Sequence, residues 1–179
     1  DKFPLAADHL GRDLLSRTLH GARISLSVAI VAATVSLIVG TVYGSISGYL
    51  GGGVDNFMMR IVDFLYAFPF LTTVILLQAY FKAIARSGGG EGIMGTIINA
   101  NNSMGGLLFL FVAIGLLNWI GMSRIARGQV LSLKQKEFVE AAQSMGASDT
   151  RIISKHLLPN IIGPLIVAET LAISSWKLF

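Results

Sequence analysis

ISLSVAIVAATVSLIVGTVYGSISGYLGGGV, residues 24–54, runs for 31 residues without a charged side chain. A helix rises about 1.5 Å per residue, so roughly 20 apolar residues cross the hydrocarbon core of a bilayer. This stretch is longer than that. Two further uncharged stretches occupy 64–81 and 92–123. Charged residues make up 13% of the chain, against about 25% in soluble domains, and mean hydropathy is +0.68. A soluble core could hide one such helix, but a chain of 179 residues cannot cover three or four. The pattern predicts an all-α fold, a polytopic bundle of transmembrane helices, with spans at about 24–49, 61–81, 107–125 and 152–176.

Within the first span, Ser36, Gly40, Gly44 and Gly48 recur every four residues. Small residues at that spacing share one helix face and admit a neighbouring helix closely. Helix packing is the preferred reading, and lining of a translocation path by Gly40 and Gly44 is the alternative. Upstream, DHLGRDLLSRTLHGAR (8–23) sets Leu10, Leu14, Leu15 and Leu19 near helical spacing, with Arg12, Asp13 and Arg17 between them. That predicts an interfacial amphipathic helix leading into the bilayer. Residues 1–23 are accordingly read as an extracytoplasmic segment, without a signal-peptide pattern, and 24–179 as the membrane domain. Downstream, the glycines at 51–53 make a turn, and Pro69 bends the second span. Residues 82–106, polar and glycine-rich, read as a loop.

Lys and Arg number 14 against 10 Asp and Glu, a net charge of +4. The basic residues gather near the predicted membrane boundaries, so the charge reads as topology and not as nucleic-acid binding. The densest group is Arg124, Arg127, Lys134, Lys136, Arg151 and Lys155. It places the loop at about 126–151 in the cytoplasm. Alternation then puts 51–53 in the cytoplasm and 82–106 outside. The amino-terminal segment also falls outside, where Lys2, Arg12, Arg17 and Arg23 run against the rule. The chain has no cysteine, which excludes disulfides and thiolate metal sites.

The same loop reads KQKEFVEAAQSMGASDTRIISKHLLPN, residues 134–160. Phe138, Ala141, Ala142 and Met145 fall at i, i+3, i+4 and i+7, one apolar face of a short helix. Glu137, Glu140, Gln143 and Ser144 lie off that stripe. Gly146 stands where a left-handed cap is favoured. Ser148 is placed to cap the next helix, with Asp149 in its first turn. A short amphipathic helix outside the membrane needs cover. The lipid surface, the chain's own bundle and a partner protein are all open on pattern alone.

Glu140-Ala141-Ala142, then Gly146, then Leu158-Pro159 resembles the EAA motif of binding-protein-dependent ABC importer permeases. DHLGRDLLSRTLHGARISL (8–26), GYLGGGVDNFMMRIVDFLYAFP (48–69) and RIARGQVLSLKQKEFVEAAQSMGAS (124–148) resemble the C-type subunit of the dipeptide and oligopeptide permease family. The resemblance covers nearly the whole chain. It implies a type I importer permease of the MetI-like kind in a bacterial cytoplasmic membrane. It also implies that residues 137–148 form a coupling helix and turn docked on a separate ATPase: Glu137, Phe138, Glu140, Ala141, Ala142, Met145, Gly146, Ala147 and Ser148. Its implied partners are a second permease subunit, two ABC ATPase subunits carrying ATP and Mg, and an extracellular solute-binding protein. Family members have six spans, and the chain corresponds to four of them. Nickel and glutathione permeases share the scaffold, so peptide is the leading substrate reading and those two are alternatives.

No GxxxxGK[ST] phosphate loop occurs, and the glycines at 88–90 lack the following lysine and hydroxyl. The chain is therefore read as a transport subunit without its own ATPase site, binding no cofactor. His9, His20 and His156 are scattered, and no catalytic or metal-ligating cluster stands out. Pro159 and Pro164 are candidate hinges or fixed kinks at the base of the fourth span. Glu169, ionisable within a span, is a functional candidate by default: it lines the path or pairs with another helix. Arg60 and Asp63 read as a local salt bridge. A channel or ion-coupled carrier would need more intramembrane charge than Glu169 supplies.

Overall fold

The computed structural model describes residues 7, 11–86, 92–104 and 106–175. Lys2, His9, Leu10, the triple glycine at 88–90, Glu91 and Trp176 lie outside them. The described residues are almost wholly helical: α1 (Leu14–Val35), a π-helical segment (Ser36–Gly40), α2 (Thr41–Leu50), α3 (Gly52–Tyr66), α4 (Phe70–Arg86), α5 (Gly92–Ser103), α6 (Leu108–Leu133), α7 (Glu137–Ser144), α8 (Asp149–Arg151), a second π-helical segment (Ile152–Leu157) and α9 (Leu158–Ser175).

The first helix begins where Asp13 caps it, its carboxylate accepting from the backbone amides of Leu15 and Ser16 at 3.1 and 3.3 Å. The Ser16 hydroxyl, also bound to it, is the main cause holding that carboxyl below the usual range. From Leu14 the helical run continues for 37 residues to Leu50, through the π segment. It passes Arg23 and Ile24 without a break, so 14–23 leads directly into the long helix. Nothing between Asp13 and Gly51 stops it: no proline intervenes, and its glycines are helical. Gly51 does stop it, with φ 66°, followed by Gly52 at 55°. A left-handed backbone is strained for residues with a Cβ and open to glycine.

The second predicted span is two helices. α3 and α4 meet at Ala67–Pro69 with a bend of 79°, because Pro69 cannot donate to the ladder and disfavours helical geometry in Phe68 before it. The expected loop at 82–106 is also corrected in part. α4 continues to Arg86, and Gly92–Ser103 forms α5. The Asn101 side chain then accepts from the Phe109 amide at 3.2 Å, satisfying an otherwise unpaired donor in the first turn of α6. Among the described residues two helical runs are long and apolar enough to cross a membrane, Leu14–Leu50 and Leu108–Leu133, or three if the bent pair counts as one.

α6 is the central mast. α2 lies along it through the small-residue stripe. A Cβ added at Gly40 would meet Met122 Cβ at 2.6 Å, and one at Gly48 the Arg127 carbonyl at 2.9 Å. One at Gly44 would overlap the Ser123 carbonyl and sit 2.8 Å from Ala126 Cβ. The preferred packing reading therefore stands on geometry. Gly40 and Gly44 are buried against α6. Below that seam Met122, Ala126 and Val130 join Val139, Ala142, Ile152, Leu157, Ile161 and Leu165 in one core. At the other end Ala32, Val74, Ala113 and Ile114 form a second cluster. The outward faces are apolar too: Leu26, Ile30, Leu71 and Leu76 are each more than half exposed. In water such faces would drive association; in a bilayer they face lipid at no cost.

Candidate functional site

The turn at Gly51 and the segment α7–α8 share one end of the bundle, tied by polar contacts that the sequence does not announce. The Arg127 guanidinium donates from Nε and Nη2 to the two Asp55 carboxylate oxygens at 2.6 and 2.5 Å. The Ser47 hydroxyl donates to the same carboxylate at 2.5 Å. This fork joins α2, α3 and α6. A two-pronged Arg–carboxylate pair is among the stronger polar contacts a fold makes. Lys134 Nζ donates to the Gly48 carbonyl at 2.9 Å, so a cation satisfies an orphan acceptor at the negative end of α2.

Tyr49 carries the connection onward. Its hydroxyl donates to Asp149 Oδ1 at 2.9 Å and lies 3.4 Å from the Gln143 amide nitrogen, which donates to it. Gln143 and Asp149 flank the turn at Gly146. A cavity of about 430 Å³ lies here, bordered by Tyr49, Lys134, Glu140, Gln143 and Asp149.

α7 occupies the residues the sequence predicts for a short helix. Gly146 has φ 78°. Its amide donates to the Gln143 carbonyl at 2.9 Å and that of Ala147 to the Ala142 carbonyl at 3.1 Å, the paired bonds of a Schellman cap. No atom lies within 4 Å of the place a Gly146 Cβ would take, so only backbone strain reserves the position for glycine. Ala147 packs back on the core. Ser148 stands at the head of α8, but its side chain makes no capping bond.

The predicted apolar stripe divides. Ala142 points inward at 2% exposure, beside Val139 at 0%, and these two seat the helix. Phe138, Ala141 and Met145 face outward, Met145 at 81% exposure, with Glu137 and Glu140 beside them. The stripe was read as one face because it ignored Val139. The i, i+3 pair Val139–Ala142 was the available signal for the inner face.

Glu169 lies far from this end. It is 8% exposed, and the Ser36 hydroxyl is 3.2 Å from its Oε2 and 3.3 Å from the Asn118 carbonyl. It borders a cavity of about 530 Å³ between the α3–α4 bend, α6 and α9. Pro159 and Pro164 lie in the helical run beneath it, with Pro159 the second residue after the second π segment. A proline lacks the donor for the preceding turn, and a widened turn beside it fits that loss. Asp63 pairs with Arg124 at 2.7 Å, 61 residues away, in place of the neighbouring Arg60; the Arg124 guanidinium also sits 4.6 Å over the Tyr66 ring. Among the described residues no group of three or more His, Cys, Asp or Glu is placed to hold a metal ion.

Residues 40–176 match the family described as the inner membrane component of binding-protein-dependent transport systems. A dipeptide transport system permease protein from Bacillus subtilis is 43% identical over 177 residues, 96% of this chain and 48% of that protein. An oligopeptide transport system permease protein from Escherichia coli K12 is 46% identical over 172 residues, 96% of this chain and 50% of that protein. A glutathione transport system permease protein from Pectobacterium atrosepticum is 35% identical over 163 residues, 91% and 47%. The chain thus spans about half the length of the curated relatives it matches. With its apolar helices, small-residue seam and capped α7 turn, the chain belongs to the family of inner membrane permease components of binding-protein-dependent transport systems.

Proposed function

We propose that the chain is part of a peptide permease subunit of an ATP-driven importer in a bacterial cytoplasmic membrane, and that α7 and its cap couple it to a separate ATPase. The observation that carries this is the two-sided character of α7. Val139 and Ala142 fix it to the bundle while Phe138, Ala141 and Met145 are presented outward. A helix of eight residues is too short to be stable unaided. Its inner face and Schellman cap hold it, and the outer face is left for a partner. In this reading Glu137, Glu140, Gly146, Ala147 and Ser148 complete the docking surface. Two ATPase subunits supply ATP and Mg, a second permease subunit completes the pathway, and an extracellular binding protein delivers the substrate.

ATP-driven closure of the ATPase pair would draw two such helices together. Tyr49, Lys134 and the Asp55–Arg127 fork would carry that displacement to α2, α3 and α6 as a rigid-body rocking. Pro159 and Pro164 would take up the change at the base of α9. The names of the relatives favour dipeptides and oligopeptides, and the relative named for glutathione favours a second reading in which the cargo is that tripeptide.

The test uses the complete transporter in proteoliposomes. Gly146→Asp forces a side chain into a left-handed position and sets a charge beside the docking face. Uptake falls to background while the ATPase subunits retain activity when purified alone. Wild-type uptake with wild-type stimulation of ATP hydrolysis would contradict the reading.

A further inference from the structure

The cavity of about 530 Å³ beside Glu169 falls in the size range of small-molecule sites, about 300–1,000 Å³. Its walls are largely apolar: Leu65, Phe68, Pro69, Phe70, Leu117 and Ile125 are among them. Glu169 is the only Asp, Glu, Lys or Arg among its described lining residues. Glu169 as a residue is more than nine-tenths buried, and Ser36 is the hydrogen-bond partner of its carboxylate. An ionised carboxylate offers about four acceptor positions, so one hydroxyl leaves most of them unfilled. Ser36 is moreover shared with the Asn118 carbonyl. Among the described residues no basic side chain pairs with Glu169, and the nearby Arg124 is taken up by Asp63 and the Tyr66 ring. A buried, unpaired carboxylate is costly unless a cation or a proton meets it.

We propose that this cavity is a subsite for a primary ammonium group on the transported molecule, with Glu169 as counter-charge and Phe68 and Phe70 as apolar walls. The proposal rests on the transport reading above and names what the pathway recognises. An ammonium fits the vacancy because it carries three donors and a positive charge. The aromatic walls favour a cation and the carbon chain behind it. The Ser36 hydroxyl, held between Glu169 and the Asn118 carbonyl, fixes the rotamer of the carboxylate toward the cavity side of the π-helical turn.

The complete transporter, purified with its ATPase and second permease subunits but without binding protein, is titrated with a fluorescent tripeptide bearing a free amino terminus and with its N-acetyl counterpart. The free amine binds at least about tenfold more tightly, the lower end expected for a hydrogen bond between charged groups, and Glu169→Gln removes that preference. No preference in the wild type, or an unchanged preference in Glu169→Gln, overturns the proposal. Should the variant fail to assemble, carbodiimide labelling of Glu169 in the wild type decides: the free-amine peptide slows it and the N-acetyl peptide does not. Equal labelling overturns the proposal. Wild-type uptake is measured separately in proteoliposomes with the binding protein added, and its absence there would sink the transport reading independently of the binding result.

Discussion

The Tyr49 hydroxyl donates to Asp149 Oδ1 at 2.9 Å across 100 residues of sequence, joining the last turn of α2 to the helix that follows the α7 cap. In the proposed coupling, Tyr49 is the point where displacement of α7 reaches the first long helix. Tyr49→Phe deletes this bond, with the longer one from Gln143, and keeps the ring. A single hydrogen bond is worth about 0.5–1.5 kcal/mol, so coupling should weaken roughly twofold to tenfold. Uptake per ATP hydrolysed in proteoliposomes measures this. Basal ATPase activity stays near wild type, because Tyr49 does not contact the outward face of α7.

Gly44 is the tightest point of the α2–α6 seam, where an added Cβ would overlap the Ser123 carbonyl. That obstacle is backbone and cannot swing aside. Gly44→Leu should lower stability by about 1–3 kcal/mol or more. A fall in the detergent unfolding midpoint would show it. Gly121→Ala, where no atom lies within 4 Å of the added carbon, serves as the control.

The Asp55–Arg127 fork is buried on the Asp55 side and a third exposed on the Arg127 side. Asp55→Asn leaves the guanidinium without its counter-charge. The loss should lie toward the lower end of the roughly 3–5 kcal/mol typical of a broken buried pair, because Arg127 still reaches water. Unfolding midpoints measured at low and high salt check this. The difference from wild type changes little between the two, since a buried pair is only weakly screened.

At Gly146 the space is open and the backbone is not. Gly146→Ala should cost about 1–2 kcal/mol locally, the penalty for a Cβ in the left-handed region. Faster protease cleavage within 144–149 would report the loosened cap. Ser148→Ala should change cleavage little, because the Ser148 side chain makes no capping bond.

The helices and the α7 turn were legible because local chemistry dictates them. Uncharged length marks a span, and a glycine after a periodic run marks a cap. The small-residue stripe at 36–48 announced a close neighbour, though not that the neighbour was α6. The long-range ties were hidden. Asp55 and Arg127 are 72 residues apart, and Tyr49 and Asp149 are 100 apart. No periodicity encodes such pairs, which follow from how the helices pack. Asp63 illustrates the same point: its sequence neighbour Arg60 suggested a local pair, and the fold supplies Arg124.

The proposed docking places the outward face of α7 on the cytoplasmic side, held by an ATPase. The chain contains no cysteine, so Met145→Cys places one thiol on that face. Membrane vesicles of both orientations are labelled with a bilayer-impermeant maleimide, with and without the ATPase subunits. Labelling of inside-out vesicles alone, suppressed when the ATPase is bound, is the predicted result; labelling from the outer side, or equal labelling with the ATPase present, would contradict it.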